Sequence, residues 1–286
     1  MRLSINRRNL AIGLMACCIA GFAQSKCLGD QSSKNPLKVY IVPQLTATQI
    51  YLRWAPLLQL IGDRTEQCFE LNVPQSIPQF ESDLNNGVPD FAYMNPYHVV
   101  MKWQEHQYIP LVASSEPIFG VLSIRRDSKV TNIQELSGGK IAFPAPNAFA
   151  ASLLIRATLS LEGVSYEPRY LKTHSNVYRS VIRGDVAAGG GIQSTLMSEP
   201  AELRAELRVL METKRYTAHP FSANARVPAP IQKQIQEAFL ELGQTNEGRK
   251  LLRGAQLVDP QVVTFEANYR SLEALQLEKF VVRNAN

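Results

Sequence analysis

The sequence carries none of the short motifs that announce common enzyme chemistry. It has no GxSxG elbow, no HExxH pair, no P-loop and no CxxC, so the signatures of serine hydrolysis, zinc peptidase action, nucleotide hydrolysis and thiol redox exchange are all missing. Histidine is scarce. His98, His106, His174 and His219 are scattered along the chain, and each reads as an ordinary surface or core residue. No catalytic residue, metal site or cofactor is therefore expected. The Gly189-Gly190-Gly191 run lacks dinucleotide-binding spacing and reads as a strand end with close backbone approach. Lys and Arg form no clustered face or stripe, which argues against nucleic acid as a partner. Long repeats and low-complexity tracts are also absent.

What is present begins with the leader. Arg2, Arg7 and Arg8 make a positive start with no acidic residue before Asp30. An apolar run of roughly thirteen residues follows, from Leu10 to Phe22, well below the ~20 that span a bilayer as a helix. Gly21-Phe22-Ala23 then places small residues at both positions of a signal peptidase site. The expectation is a cleavable signal peptide over residues 1–23 and a periplasmic protein. Leu14-Met15-Ala16-Cys17 has the look of a lipobox, but the apolar run continues to Phe22, so a lipid anchor at Cys17 is the less favoured reading. Arg7-Arg8 is followed by Asn9-Leu10-Ala11, a poor twin-arginine continuation, and the general secretory route is preferred.

Cleavage after Ala23 would leave two of the four cysteines, Cys27 and Cys68. In an oxidising compartment they could pair or stay free. The leader also takes three of the 30 basic residues and none of the 25 acidic ones, so the mature body carries only +2.

Beyond a polar linker over 24–36, short apolar strands alternate with amphipathic helices, the pattern of an α/β fold with mixed, mainly parallel sheets. Leu37 to Val42 is the first strand. Ile50, Trp54, Leu57, Leu58 and Ile61 then fall on one helical face. A second αβ set interrupts the first, with a strand at Lys140 to Phe143, a long helix near Ala148 to Leu161, and a strand at Val186 to Ala188. Phe149, Leu153, Leu154, Ala157 and Leu161 are the inward positions of that helix. The C-terminal part is helical, with a last helix over Tyr269 to Phe280. The order predicts two lobes: 37–118, then 119–212, then a return over 213–286. The crossings fall near Glu116 to Gly120 and Thr213 to Pro220, and a ligand would sit in the cleft between lobes.

Three strand-to-helix junctions stand out: PQLTATQ, MNPYH and PAPNAFAAS. Each feeds a helix start, where unpaired amides and the helix dipole favour an anion. Asn95 and Asn147 suit N-cap positions. Each junction alone is simply a capped helix; three meeting in one cleft would be a binding site.

These segments resemble the phosphate/phosphite/phosphonate solute-binding proteins of ABC transporters, over about Leu37 to Leu257. DFAYMNPYHVV is similar to the family's lobe-one cleft segment. NIQELSGGKIAFPAPNAFAASLLIRATLSLEGV and THSNVYRSVIRGDVAAGGG resemble its lobe-two blocks. The resemblance implies a two-lobed, type II-like periplasmic-binding-protein fold that closes by hinge motion and delivers its ligand to a membrane permease. It places Tyr93, Met94 and Asn95 on the lobe-one wall. Asn147, Ala148, Phe149 and Ala150 would form the lobe-two helix start, with His174 and Ser175 beside them. Family members that bind phosphonates carry Ser-Thr-Ser where this chain has Ala148-Phe149-Ala150, so the ligand is expected to be larger or less charged than a phosphonate. The expected function is non-catalytic capture of a small oxyanion or phosphonate-like solute by a monomer. The alternative is a ligand sensor acting on a membrane-bound signalling partner.

Overall fold

The computed structural model describes residues 27–32, 35–105 and 108–282. The expected leader, with Cys17, lies outside the described residues, as does His106. Two mixed sheets organise the chain. The first contains β1 (Leu28–Gly29), β2 (Leu37–Ile41), β3 (Cys68–Asn72), β4 (Phe91–Tyr93) and β5 (Tyr108–Ala113). The second contains β6 (Gly120–Arg125), β7 (Lys140–Phe143), β8 (Glu167–Tyr170), β9 (Ala188–Ile192) and β10 (Leu207–Glu212). The chain then returns to the first sheet with β11 (Pro220–Asn224) and β12 (Gln261–Val262). Strand order is β1-β3-β2-β4-β11-β5-β12 in one sheet and β10-β6-β9-β7-β8 in the other. Parallel pairing joins β3-β2-β4 and β9-β7-β8, and the strands beside each crossing pair antiparallel.

Helix α1 (Ala47–Thr65) shows why the first lobe folds as it does. Its stripe of Ile50, Trp54, Leu57, Leu58 and Ile61 is fully buried. Thr46 and Gln49 form a reciprocal capping box at its start. Of the stretch expected as a linker, Leu28–Gly29 instead adds an edge strand beside β3. Two constraints hold it there. Cys27 is disulfide-bonded to Cys68, with Cα atoms 5.4 Å apart, and Gly29 (φ +108°) sits so close that a Cβ would lie 2.6 Å from the Gly62 Cα.

The long helix expected from Ala148 begins as a π-turn over Phe149–Leu154 and becomes α4 (Ile155–Leu161) afterwards. The amides of Ser152 and Leu153 both donate to the Ala148 carbonyl, at 2.9 and 3.0 Å. The widened turn shifts the phase of the helix beyond it, so Leu159 is buried while Leu161, expected inside, is 87% exposed. The C-terminal segment is likewise not one helix. Short turns at Phe265–Tyr269, Arg270–Leu275 and Leu277–Phe280 are interrupted by Gln276, whose φ of +47° cannot continue a helix.

The triple glycine lies within β9 rather than at a strand end after Val186–Ala188. It is central in its sheet and pressed from both sides. A Cβ on Gly191 would meet the Tyr178 hydroxyl at 2.1 Å, and one on Gly190 the Ala151 carbonyl at 2.2 Å and Phe143 at 2.7 Å. Overpacking of this kind costs about 1–3 kcal/mol, at the upper end where the obstacle is backbone. Gly190→Ala should therefore lower the thermal midpoint by about 4–10 °C. Gly254→Ala, with nothing within 4 Å of its Cβ, is the control and should leave the midpoint unchanged or raise it slightly. Equal midpoints for the two variants would mean the second lobe does not pack as described.

The crossings pair with one another. Ile118 and Tyr216 exchange two backbone hydrogen bonds, at 2.8 and 2.9 Å, and the Gly120 amide donates to Thr213 Oγ1 at 2.8 Å. Among the described residues no helix is long and apolar enough to cross a membrane.

Candidate functional site

The three junctions meet beside these paired crossings. Val42 and Gln44 arrive from the end of β2, Asn95 from the end of β4, and Ala148 to Ala151 from the end of β7. His174, at the start of α5 (His174–Arg183), and His219, just before β11, close the wall. The space they enclose is about 10 Å3, room for one water at most. Phe149 is part of the reason: it is 2% exposed and lies edge-on to Tyr216, with ring centroids 5.8 Å apart. Its ring packs at the hinge while lining this small space.

Asn95 is the expected N-cap. Its Oδ1 accepts from the His98 amide at 2.9 Å at the start of α3 (Pro96–Glu105), and its Nδ2 reaches across the lobes to the Asn147 carbonyl at 3.5 Å. Asn147 is not a cap. The residue before the π-turn is Ala148, which offers no side-chain acceptor. The Asn147 amide instead donates to Glu81 at 3.0 Å and to the Val282 carbonyl at 3.3 Å, while its Oδ1 accepts from the Val282 amide at 3.1 Å. Glu81, on α2 (Ile77–Asn85), also meets His98 Nε2 at 3.1 Å. One carboxylate thus holds a lobe-one histidine and a lobe-two asparagine together. The first amides of the π-turn have no acceptor within their own helix, and they start it in a buried place without a cap.

Three of the histidines that looked scattered come together here. His98, His174 and His219 are all buried, and His98 and His174 lie close enough to disfavour charge on His219. Burial pushes His219 down to about 3, with help from those neighbours, and His174 down to about 4. Both rings are neutral at pH 7. The Gln44 amide contacts His219 Nε2, and Thr195 Oγ1 lies 2.9 Å from His174 Nδ1. Among the described residues no group of three His, Cys, Asp or Glu is placed to hold a metal ion.

The other expected residues fall elsewhere. Met94 is lobe-one core, its amide donating to the Pro220 carbonyl at 3.1 Å. Ser175 faces Glu199, its hydroxyl donating a hydrogen bond to the carboxylate. Tyr93 stacks on His219 at 5.4 Å and donates to the Gln256 carbonyl at 3.4 Å. It lines a second, much larger cavity of about 780 Å3, which shares Ile118, Ile192 and His219 with the small one. Hinge residues, the short helix α6 (Gln193–Met197) and the chain after Lys250 bound this space. Arg53, Arg215, Lys250 and Arg253 line it, against one acid, Glu116. Sequence reasoning did not find Glu81, His219 or Arg53. Nothing local marks them, because their partners come from segments far away in the chain; Gln44, His98 and Ala151 sat inside junctions already singled out.

Solved structures share this architecture. PhnD1 from Prochlorococcus marinus (MIT 9301), determined with methylphosphonate, matches with a TM-score of 0.77 at 12% identity, covering 85% of this chain and 97% of its own. A binding protein component of an ABC phosphonate transporter from Pseudomonas aeruginosa matches at 0.76 and 13%, covering 87% of each chain. A Xanthomonas citri protein bound to chloride ion matches at 0.66 and 14%, covering 85% of this chain and 98% of its own. At such identities the likeness shows the two-lobed binding-protein fold. Residues 39–269 also match the family model described as "ABC transporter, phosphonate, periplasmic substrate-binding protein", a family of solute binders rather than enzymes. With four-fifths of its sequence matched, the chain belongs to the periplasmic substrate-binding proteins of phosphonate ABC transporters.

Proposed function

We propose that this protein captures an anionic solute between its lobes and presents it to a membrane permease as the receptor of an uptake system. The observation that carries this is the meeting of three strand-to-helix junctions, from both lobes, at one point beside the paired crossings. Asn95 and the uncapped amides at Phe149 to Ala151 supply donors for an oxyanion there, and His174 lies beside them. Entry requires the lobes to part, since the enclosed space is about 10 Å3. The leader of residues 1–23 fits the family's periplasmic location. The lost hydroxyls at Ala148-Phe149-Ala150 remove side-chain donors but leave the backbone ones.

Calorimetric titration of the exported chain with phosphate and methylphosphonate tests this reading. Binding tighter than millimolar is expected for at least one of them. Asn95→Ala should weaken it about ten- to a hundredfold, the worth of one hydrogen bond to a charged group at about 1.5–3 kcal/mol. His174→Ala should weaken it without unfolding the chain. Binding that ignores both substitutions would move the anion away from the junctions.

A further inference from the structure

We infer that the large cavity beside the hinge is a seat for the organic body and second negative charge of a drug-sized organic phosphate or phosphonate. The inference rests on the solute-capture reading above and names its substrate class. Three observations support it.

The first is unbalanced charge in a concave place. Four cations and one carboxylate line the cavity. Arg215 is already paired with Glu212 at 3.1 Å and stacked on Phe119 at 4.2 Å. The side chains of Arg53, Lys250 and Arg253 have no hydrogen-bond or ion-pair partner among the described residues, and Arg53 is half-buried. A cleft lined by one sign of charge concentrates oppositely charged ligands.

The second is a pair of unsatisfied amides in the same wall. Gln193 Oε1 and Gln256 Nε2 are buried with no hydrogen-bond partner among the described residues. Buried polar atoms of this kind normally find a partner, and a ligand with both acceptor and donor groups would supply it.

The third is the backbone of Gln256. It follows α9 (Asn246–Gly254) at the position where helices usually place glycine, and its φ is +63°. Ending the helix needs no side chain there, and a non-glycine residue in that region is strained. Glycine would relieve the strain here, and the glutamine's amide nitrogen is one of the two unpaired atoms.

Size and surface set the class. A cavity of about 780 Å3 lies in the range of drug-sized ligand sites, roughly 300–1,000 Å3, far beyond what phosphate or methylphosphonate would fill. Phe119, Tyr93, Met197 and Ile192 give it apolar and aromatic walls that suit a planar or hydrocarbon body.

The test is calorimetry with 4-carboxyphenyl phosphate, adenosine 5′-diphosphate and inorganic phosphate on the exported chain and three variants. Those are Arg53→Gln, the double Lys250→Gln/Arg253→Gln, and Gln256→Gly. An organic phosphate should bind at least tenfold tighter than inorganic phosphate, and each variant should lose at least fivefold of that affinity. Gln256→Gly should do so with an unchanged or higher thermal midpoint, which separates a ligand contact from a folding defect. Organic phosphates no tighter than inorganic phosphate, or affinities untouched by the variants, would overturn the inference. If inorganic phosphate binds and weakens with Asn95→Ala while neither organic phosphate binds more tightly than it does, the cavity proposal fails while capture at the junctions stands. Failure of every probe to bind would overturn both.

Discussion

Acidification from pH 7 to pH 4 should lower the thermal midpoint of this protein by about 10 °C or more, and much of that fall should vanish when the buried histidines are replaced. His174 and His219 are depressed from 6.5 to about 4 and about 3. The unfolded chain therefore takes up protons at these rings before the folded chain does. Stability is full above about pH 7 and is lost progressively as pH falls through 6.5 toward the folded values. One pKa unit corresponds to about 1.4 kcal/mol, so the two fully buried rings together contribute on the order of several kcal/mol. For a chain of this size each kcal/mol moves the midpoint by about 2–4 °C.

The surroundings favour the neutral forms throughout. His219 faces Gln44, Tyr93 and the other two histidines, and His174 faces Thr195 and Tyr178. The one carboxylate in the network, Glu81, is held by His98 and Asn147 and does not face either ring in a hydrogen bond. Since His174 lies on the second lobe and His219 at the crossing back to the first, parting the lobes is the least disruptive way to hydrate both. The double variant His174→Gln/His219→Gln should show a much flatter midpoint against pH between 7 and 4. An equally steep fall would place the acid-sensitive groups elsewhere.

Removal of the Cys27–Cys68 bridge is expected to cost about 4 kcal/mol. The bridge closes a loop with a sequence separation of 41, and the chain-entropy relation for a loop of that length gives about 4 kcal/mol at 25 °C. The bridged strand is only two residues long, at a sheet edge, so little else fixes it. In Cys27→Ser/Cys68→Ser the β1 segment should detach, with rapid hydrogen exchange at Asp30, whose amide otherwise donates to the Gln67 carbonyl at 3.0 Å. The stability read from denaturant unfolding should fall by the same roughly 4 kcal/mol. The β4 and β11 strands at the cleft should keep their protection. Loss of protection throughout the first sheet would show that the bridge organises the lobe and not merely its edge.

Much of the fold was legible in the sequence because it is written in local periodicity. The α1 stripe, the cap at Asn95 and the interrupted αβ order all depend on residues within a few positions of one another. What escaped was set by tertiary contact. The π-turn at Phe149–Leu154 leaves no trace in composition, yet it moved Leu161 to the surface and Leu159 inside. The triple glycine read as a strand end because glycine has low strand propensity; packing against Tyr178, Ala151 and Phe143 overrides that preference.

The site divides in the same way. Asn95, Ala148, Phe149 and Ala150 lie on junction motifs, His174 was placed beside them by the family resemblance, and all five line one small space. Asn147 was assigned a local role, capping, and holds a distant one, tying Glu81 to Val282. His98 and His219 are 121 positions apart in sequence, and only the assembled first sheet and the helix on it bring them together. Arg53 and Gln256 belong to a cavity that no single segment encodes.

The reading of this molecule as a two-lobed receptor is tested most directly by the distance between its lobes. Spin labels at Glu162 and Lys233, both exposed and one on each lobe, report that distance by pulsed double resonance. Addition of the tightest binder among phosphate, methylphosphonate and phenyl phosphate should narrow a broad distribution to a single shorter distance, and Asn147→Ala should oppose that change. A distribution unaltered at saturating ligand, with binding confirmed in the same sample, would contradict capture between the lobes.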